Sequence, residues 1–207
     1  MPRATQMILT RPVVQAVLAA TLVCAAALVW ATGAYAKTKV VHWSPFGADT
    51  DSLRTGLVAT PKYGGRCWTG SFIVHRGYRC SSGNRIYDPC FPDMERDDVV
   101  VCVADPWARG VIRLRVTGDL SNSYSARADT TWALRLYSGE QCVMATGGTS
   151  VDNAGRRLNF FCRKSRVVLW GNPIRRGPTW HIFKSRSPDP GPETRVAVRT
   201  AYIGLVR

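Results

Sequence analysis

The sequence predicts an all-β fold, a single disulfide-stapled antiparallel β-sandwich or barrel-like domain. Three observations predict it. Short segments alternate apolar and polar residues, the pattern that puts successive side chains on opposite faces of a strand. Clusters of Gly, Pro, Asn and Ser separate those segments, and each cluster is turn chemistry. Beyond residue 36 six cysteines are spread along the chain, while no stretch of about eleven or more residues carries a helical period.

The elements follow in chain order. Arg3 and Arg11 precede an apolar run, Val13–Trp30, and small residues stand at Ala34 and Ala36. This is the layout of a secretory signal peptide over residues 1–36, with cleavage expected after Ala36. The same run is nearly long enough for an uncleaved anchor, but the small-residue site follows it directly. Val23 occupies the position before Cys24 where a lipidation site needs a small residue, so no lipid anchor is expected. Residues 37–207 hold no other segment of membrane-spanning length, and they are expected to form one secreted β domain able to bury a single core.

Within it, residues 37–65 are either an additional strand or an arm. In "VIRLRV", Ile112, Leu114 and Val116 share one face and Arg113 and Arg115 the other. "WALRLY" sets Trp132, Leu134 and Leu136 against Arg135, and "RLNFFC" aligns Leu158, Phe160 and Cys162. "TWHIFK" aligns Trp180 and Ile182, and "RVAVRTAY" aligns Val196 and Val198. Ser138-Gly139, Gly147-Gly148, Asn153-Ala154-Gly155, Asn172-Pro173 and Arg176-Gly177-Pro178 lie between them as turns. A hairpin turning at Ser138-Gly139, with residues 157–162 as its next neighbour, is the expected meander. "SPDPGPE", Ser187 to Glu193, is a proline-rich loop, and the last strand returns to the sheet.

Cys67, Cys80, Cys90, Cys102, Cys142 and Cys162 remain once Cys24 leaves with the signal peptide. An even set in an exported chain is a disulfide framework with fifteen possible connectivities. Sequential pairing is expected, because each bond then closes a short loop between neighbouring strands. The thiols lack the close spacing and the nearby histidines of a zinc site, so no metal is expected there.

Charge supplies the functional signal. The chain carries 28 basic and 14 acidic residues, and losing Arg3 and Arg11 leaves 26 against 14. The excess gathers in a segment without acids that holds Arg156, Arg157, Arg163, Lys164, Arg166, Trp170, Arg175 and Arg176, followed by Trp180, Lys184 and Arg186. Such a segment attracts polyanions, and its tryptophans can stack on sugars or bases. The plainer reading is solvated strand faces with Trp180 in the core. No nucleic-acid module is present, so specific nucleic-acid recognition is not expected. Asp93, Glu95, Asp97 and Asp98 crowd one loop, which lacks the glycine of a calcium-binding turn and is expected to be solvated.

No catalytic residue is assigned. There is no G-x-S-x-G elbow, no P-loop and no dinucleotide fingerprint, so no cofactor is expected. His42, His75 and His181 stand in no motif. Asp88, before Pro89, is expected to brace a turn.

Five stretches, "CWTGSFIV", "YRCSSGNRIYDPCF", "VVCVADPW", "WALRLYSGEQC" and "RLNFFC", with "LWGNP" and "TWHI" after the last, resemble a family of secreted, uncharacterised, cysteine-containing proteins of actinobacteria. The resemblance implies one exported domain with structural cysteines and transfers no activity. The expected function is therefore a secreted, non-catalytic binding protein of the cell envelope or extracellular space, engaging an anionic cell-wall polymer or a secreted protein through an arginine-rich face. The alternatives are an inhibitor or effector of another protein, and a hydrolase with dispersed carboxylates.

Overall fold

A computed structural model describes residues 36–48, 50–120, 126–148, 150–152, 154–186 and 194–206. The expected signal peptide, Cys24 and the loop 187–193 lie outside the described residues, as does the side chain of Arg186. Residues 36–206 form one compact unit.

The chain is all-β. Among the described residues thirteen strands follow one another: β1 (Lys39–Trp43), β2 (Val58–Gly70), β3 (Tyr78–Ser82), β4 (Arg85–Pro92), β5 (Val99–Cys102), β6 (Gly110–Val116) and β7 (Thr131–Leu136), then β8 (Gln141–Met144), β9 (Ser150–Val151), β10 (Arg157–Cys162), β11 (Val167–Ile174), β12 (Trp180–Arg186) and β13 (Thr194–Gly204). Among the described residues no helix is long and apolar enough to cross a membrane.

Two closed sheets replace the single sheet pair or barrel that the sequence suggests. Strands β2 to β6 form a five-stranded barrel, and β7, β8, β10, β11, β12 and β13 close a second, six-stranded one. Both are up-and-down meanders, and the strand count sets how each closes. Five alternating strands bring the first and last into the same direction, so β2 and β6 pair parallel. Six bring them into opposite directions, so β13 and β7 pair antiparallel. A purely antiparallel fold therefore fails at two ladders, β2–β6 and the parallel pairing of β1 along β13. Residues 39–43 are thus an added strand, and residues 58–65 begin β2.

Among the described residues three buried clusters hold the fold. Leu134, Leu136, Phe160, Leu169, Ile182 and Val198 fill the six-stranded barrel, with Trp180 and Val196 packed against them. Leu114, Val100 and Val116 fill the five-stranded barrel around Cys67, Cys80, Cys90 and Cys102. A third cluster, which includes Trp43, Phe91, Val101, Val103, Val111, Trp132 and Ala133, joins the outer faces of strands from both barrels. Each fully buried side chain of this size contributes about 1.5–3 kcal/mol. Trp132 belongs to this third cluster and not to the barrel interior that Leu134 and Leu136 enter, because the β13–β7 register shifts near its end.

The disulfides are Cys67–Cys80, Cys90–Cys102 and Cys142–Cys162. Each joins residues directly opposite in register on neighbouring antiparallel strands. The sulfurs of Cys80, Cys90 and Cys102 lie within 4.8 Å of one another, which places two disulfides side by side inside the five-stranded barrel.

Candidate functional site: a basic, aromatic face of the six-stranded barrel

The central feature of this face is built by register. Trp170 on β11 lies opposite Phe183 on β12, which lies opposite Arg195 on β13. Direct cross-strand neighbours on one face sit within side-chain reach, and here the two rings stack with centroids 4.2 Å apart and planes 8° from parallel. The Arg156 guanidinium lies 5.0 Å from the Trp170 ring and that of Arg195 lies 5.3 Å from Phe183. The result is a ladder of cation, ring, ring, cation. A guanidinium over a ring face is drawn by the ring's negative face while its edge N–H groups stay available to a ligand.

Arg156 is held firmly. Its Nε donates to Asp152 Oδ2 at 2.6 Å, and Asp152 Oδ1 accepts from the backbone N–H groups of Ala154 and Arg156. Burial works to raise the Asp152 pKa, but these hydrogen bonds and the Arg156 charge together outweigh it and hold the carboxyl below its ordinary range. The cation at this end is therefore compensated. Arg195 is exposed, and no carboxylate pairs with it among the described residues.

The remaining basic residues of the segment do not form one patch. Arg163 pairs with Asp105 at 3.0 Å. Lys164 and Arg166 occupy the exposed turn between β10 and β11. Arg175 and Arg176 lie beyond the other end of β11, and eight residues of strand separate the two groups by roughly 25 Å. Arg175 is engaged by Asp129 Oδ2 at 2.9 Å and Thr131 Oγ1 at 3.0 Å, and its guanidinium stacks 4.7 Å over Trp180. Arg157 is exposed beside Leu158, the residue opposite Trp170. Arg157, Lys164, Arg166, Arg176, Arg195 and Arg199 are thus exposed cations without a carboxylate partner among the described residues.

Phe183 and Arg195 were absent from the residues the sequence singles out. Phe183 does follow the outward phase of "TWHIFK", since Trp180 and Ile182 point inward. What pairs with Trp170, however, depends on a register that no local pattern encodes.

The other candidate residues find structural partners. Asp88 accepts from Ser71 Oγ at 2.5 Å, Phe72 N–H at 3.3 Å and Arg79 Nη1 at 3.1 Å, bracing the β2–β3 connection to β4. His75 Nδ1 contacts the Ala126 carbonyl at 2.8 Å. His181 lies on β12 between the inward Trp180 and Ile182. The acidic loop is not simply solvated. Asp93 is buried and receives Arg113 at 2.7 Å, while Asp98 receives both Arg96 and Arg115. The outward arginines of β6 therefore neutralise this loop.

Compared with known proteins, the chain matches no family model, no curated protein and no solved structure.

Proposed function

We propose that this is a secreted, non-catalytic binding protein whose six-stranded barrel engages an anionic polymer of the cell envelope or extracellular space. The observation that carries the reading is the Arg156–Trp170–Phe183–Arg195 ladder, set among exposed cations that lack carboxylate partners among the described residues. Rings and guanidinia in one row suit a chain of alternating flat and anionic units. Export through a signal peptide over residues 1–36 is part of the proposal, supported by three disulfides, which persist in oxidising compartments.

The test is retention of the mature domain on heparin and on teichoic-acid matrices as salt rises. Binding that weakens steeply with salt is expected, because surface charges are screened within about 8 Å at physiological ionic strength. An Arg157→Met/Lys164→Met/Arg166→Met variant should elute at lower salt, and Trp170→Ala should weaken binding even at low salt. A wild-type domain that ignores both matrices at low salt overturns the reading.

A protein partner is the second reading, favoured by the exposed Tyr63, Trp68, Phe72 and Ile86 of the five-stranded barrel. Hydrolysis is weaker. The acid-lined groove that holds Asp93, Asp97, Asp98 and Asp119 would need a carboxyl with a raised pKa. Burial does work to raise that of Asp98, but hydrogen bonds from Arg96 and Arg115 outweigh it and lower the value.

A further inference from the structure

A second site lies away from the basic face. Residues from β1 and β13 and from the loops before β2 and β6 line an open cavity of about 460 Å³, a size typical of small-ligand sites. Its aromatic side is rigid. Trp43 is 5% exposed and is held edge-on by Phe91 and Trp132, at centroid distances of 5.8 and 5.6 Å. Trp107 packs edge-on against Tyr202 at 5.2 Å and donates from its indole N–H to the Tyr202 hydroxyl at 3.2 Å.

The rim is basic. Arg54 and Arg109 both line the cavity, and no acid does. The Arg54 guanidinium stands 5.9 Å from the Trp43 ring. The two loops are tied together where Val58 N–H donates to the Arg109 carbonyl at 2.7 Å, and the Arg54 segment is closed by Leu57 N–H on the Arg54 carbonyl at 3.1 Å. Asp105, two residues before Trp107, does not line the cavity; its Oδ1 accepts from Trp107 N–H and from Arg163. Neither Arg54 nor Arg109 pairs with a carboxylate among the described residues.

We propose that this cavity binds the acidic unit of a saccharide, a pyranose ring carrying a carboxylate. The apolar face of the ring would lie against Trp107 and Tyr202, with the buried Trp43 forming the floor behind Arg54, and the carboxylate would meet Arg54 and Arg109, whose planar forks match carboxylate geometry. Charge complementarity selects an anion, and the aromatic side with its hydroxyl rim selects a ring bearing both apolar and polar edges. The inference is independent of the polymer-binding face.

The test is a titration of the mature domain with D-glucuronate, D-glucose and benzoate, followed by the Trp107 indole resonance, which a Trp107→Phe variant identifies. Saturable shifts with glucuronate are expected, with glucose and benzoate at least about tenfold weaker. Arg54→Met and Arg109→Met should each weaken glucuronate binding by about tenfold or more while leaving the thermal transition in place. Arg157→Met/Lys164→Met/Arg166→Met should elute from heparin at lower salt and keep glucuronate binding, so the two sites fail separately. Glucose binding equal to glucuronate, benzoate binding more tightly than glucuronate, no saturable shift with glucuronate, or arginine variants that fold and bind unchanged would each overturn the proposal.

Discussion

Arg79 and Asp88 form an ion pair of 3.1 Å with side-chain exposures of 9% and 0%. The same Arg79 nitrogen donates to the Thr146 carbonyl at 2.5 Å, and the guanidinium lies 4.6 Å over the Phe72 ring. One side chain thus links the five-stranded barrel to the loop after β8. Removing one partner of a buried pair leaves the other charge uncompensated, at a cost of about 3–5 kcal/mol. Arg79→Ala and Asp88→Ala should each lower stability by that order in urea unfolding. In the double variant the losses should be far from additive, and additive losses would show that the pair is uncoupled.

Acid should unfold the protein through identifiable groups. The Ser138 hydrogen bond and Lys184 lower the pKa of Glu140, and arginine contacts lower those of Asp98 and Asp152 against the opposing effect of burial. Folded values below the unfolded ones mean stability that is present above about pH 4 and lost as pH falls through the folded values. Asp88 has the opposite sign, since burial raises its pKa against its hydrogen bonds. Its contribution is full below its unfolded pKa and lost as pH rises through the folded one. Urea midpoints measured between pH 7 and pH 2 should therefore fall less steeply in acid for Asp152→Asn than for the wild type. An equal acid slope would remove Asp152 from the account.

The Cys142–Cys162 bond closes a separation of 20 residues and ties β8 to β10 at the wall of the six-stranded barrel. Limiting a loop of that length in the unfolded chain contributes about 3 kcal/mol. Cys142→Ala/Cys162→Ala should shift the urea midpoint accordingly under non-reducing conditions while the far-ultraviolet spectrum stays β-rich. Unchanged stability would mean that the register alone holds this ladder.

Glycines in and beside the five-stranded barrel separate packing from backbone freedom. A Cβ on Gly65 would fall 2.5 Å from Leu114 Cγ, and Leu114 is fully buried with no open direction to move. A Cβ on Gly110 would meet nothing within 4 Å. Gly65→Ala should cost about 1–3 kcal/mol by overpacking, and Gly110→Ala should stay within about 0.5 kcal/mol of the wild type. The pair can be read from two thermal denaturation curves, and equal stability would refute the close approach.

The sequence by itself determined the strand class, most of the inward residues of β6, β7, β10, β12 and β13, and turns such as Ser138-Gly139, whereas Asn172-Pro173, expected as a turn, lies inside β11 as an irregularity where the register with β12 shifts. Alternation is a local property, and it correctly turned Leu114 and Val116 inward and Arg113 and Arg115 outward. The short spacings between cysteines likewise pointed to sequential bonds between neighbouring strands, the pairing found in the structure. Only the tertiary structure decided that there are two barrels. The clue in the sequence was the unbroken apolar run Val99–Val103, which alternates for neither face because Val100 and Cys102 enter one barrel while Val101 and Val103 meet the cluster joining both. A short apolar run signals burial on two sides without saying what covers the second. The candidate sites obeyed the same limit. Trp170 and Arg156 stood out as residues, but Phe183, Arg195 and the convergence of Arg54, Arg109, Trp43 and Tyr202 depend on register and closure, which bring together side chains up to 159 positions apart in the numbering.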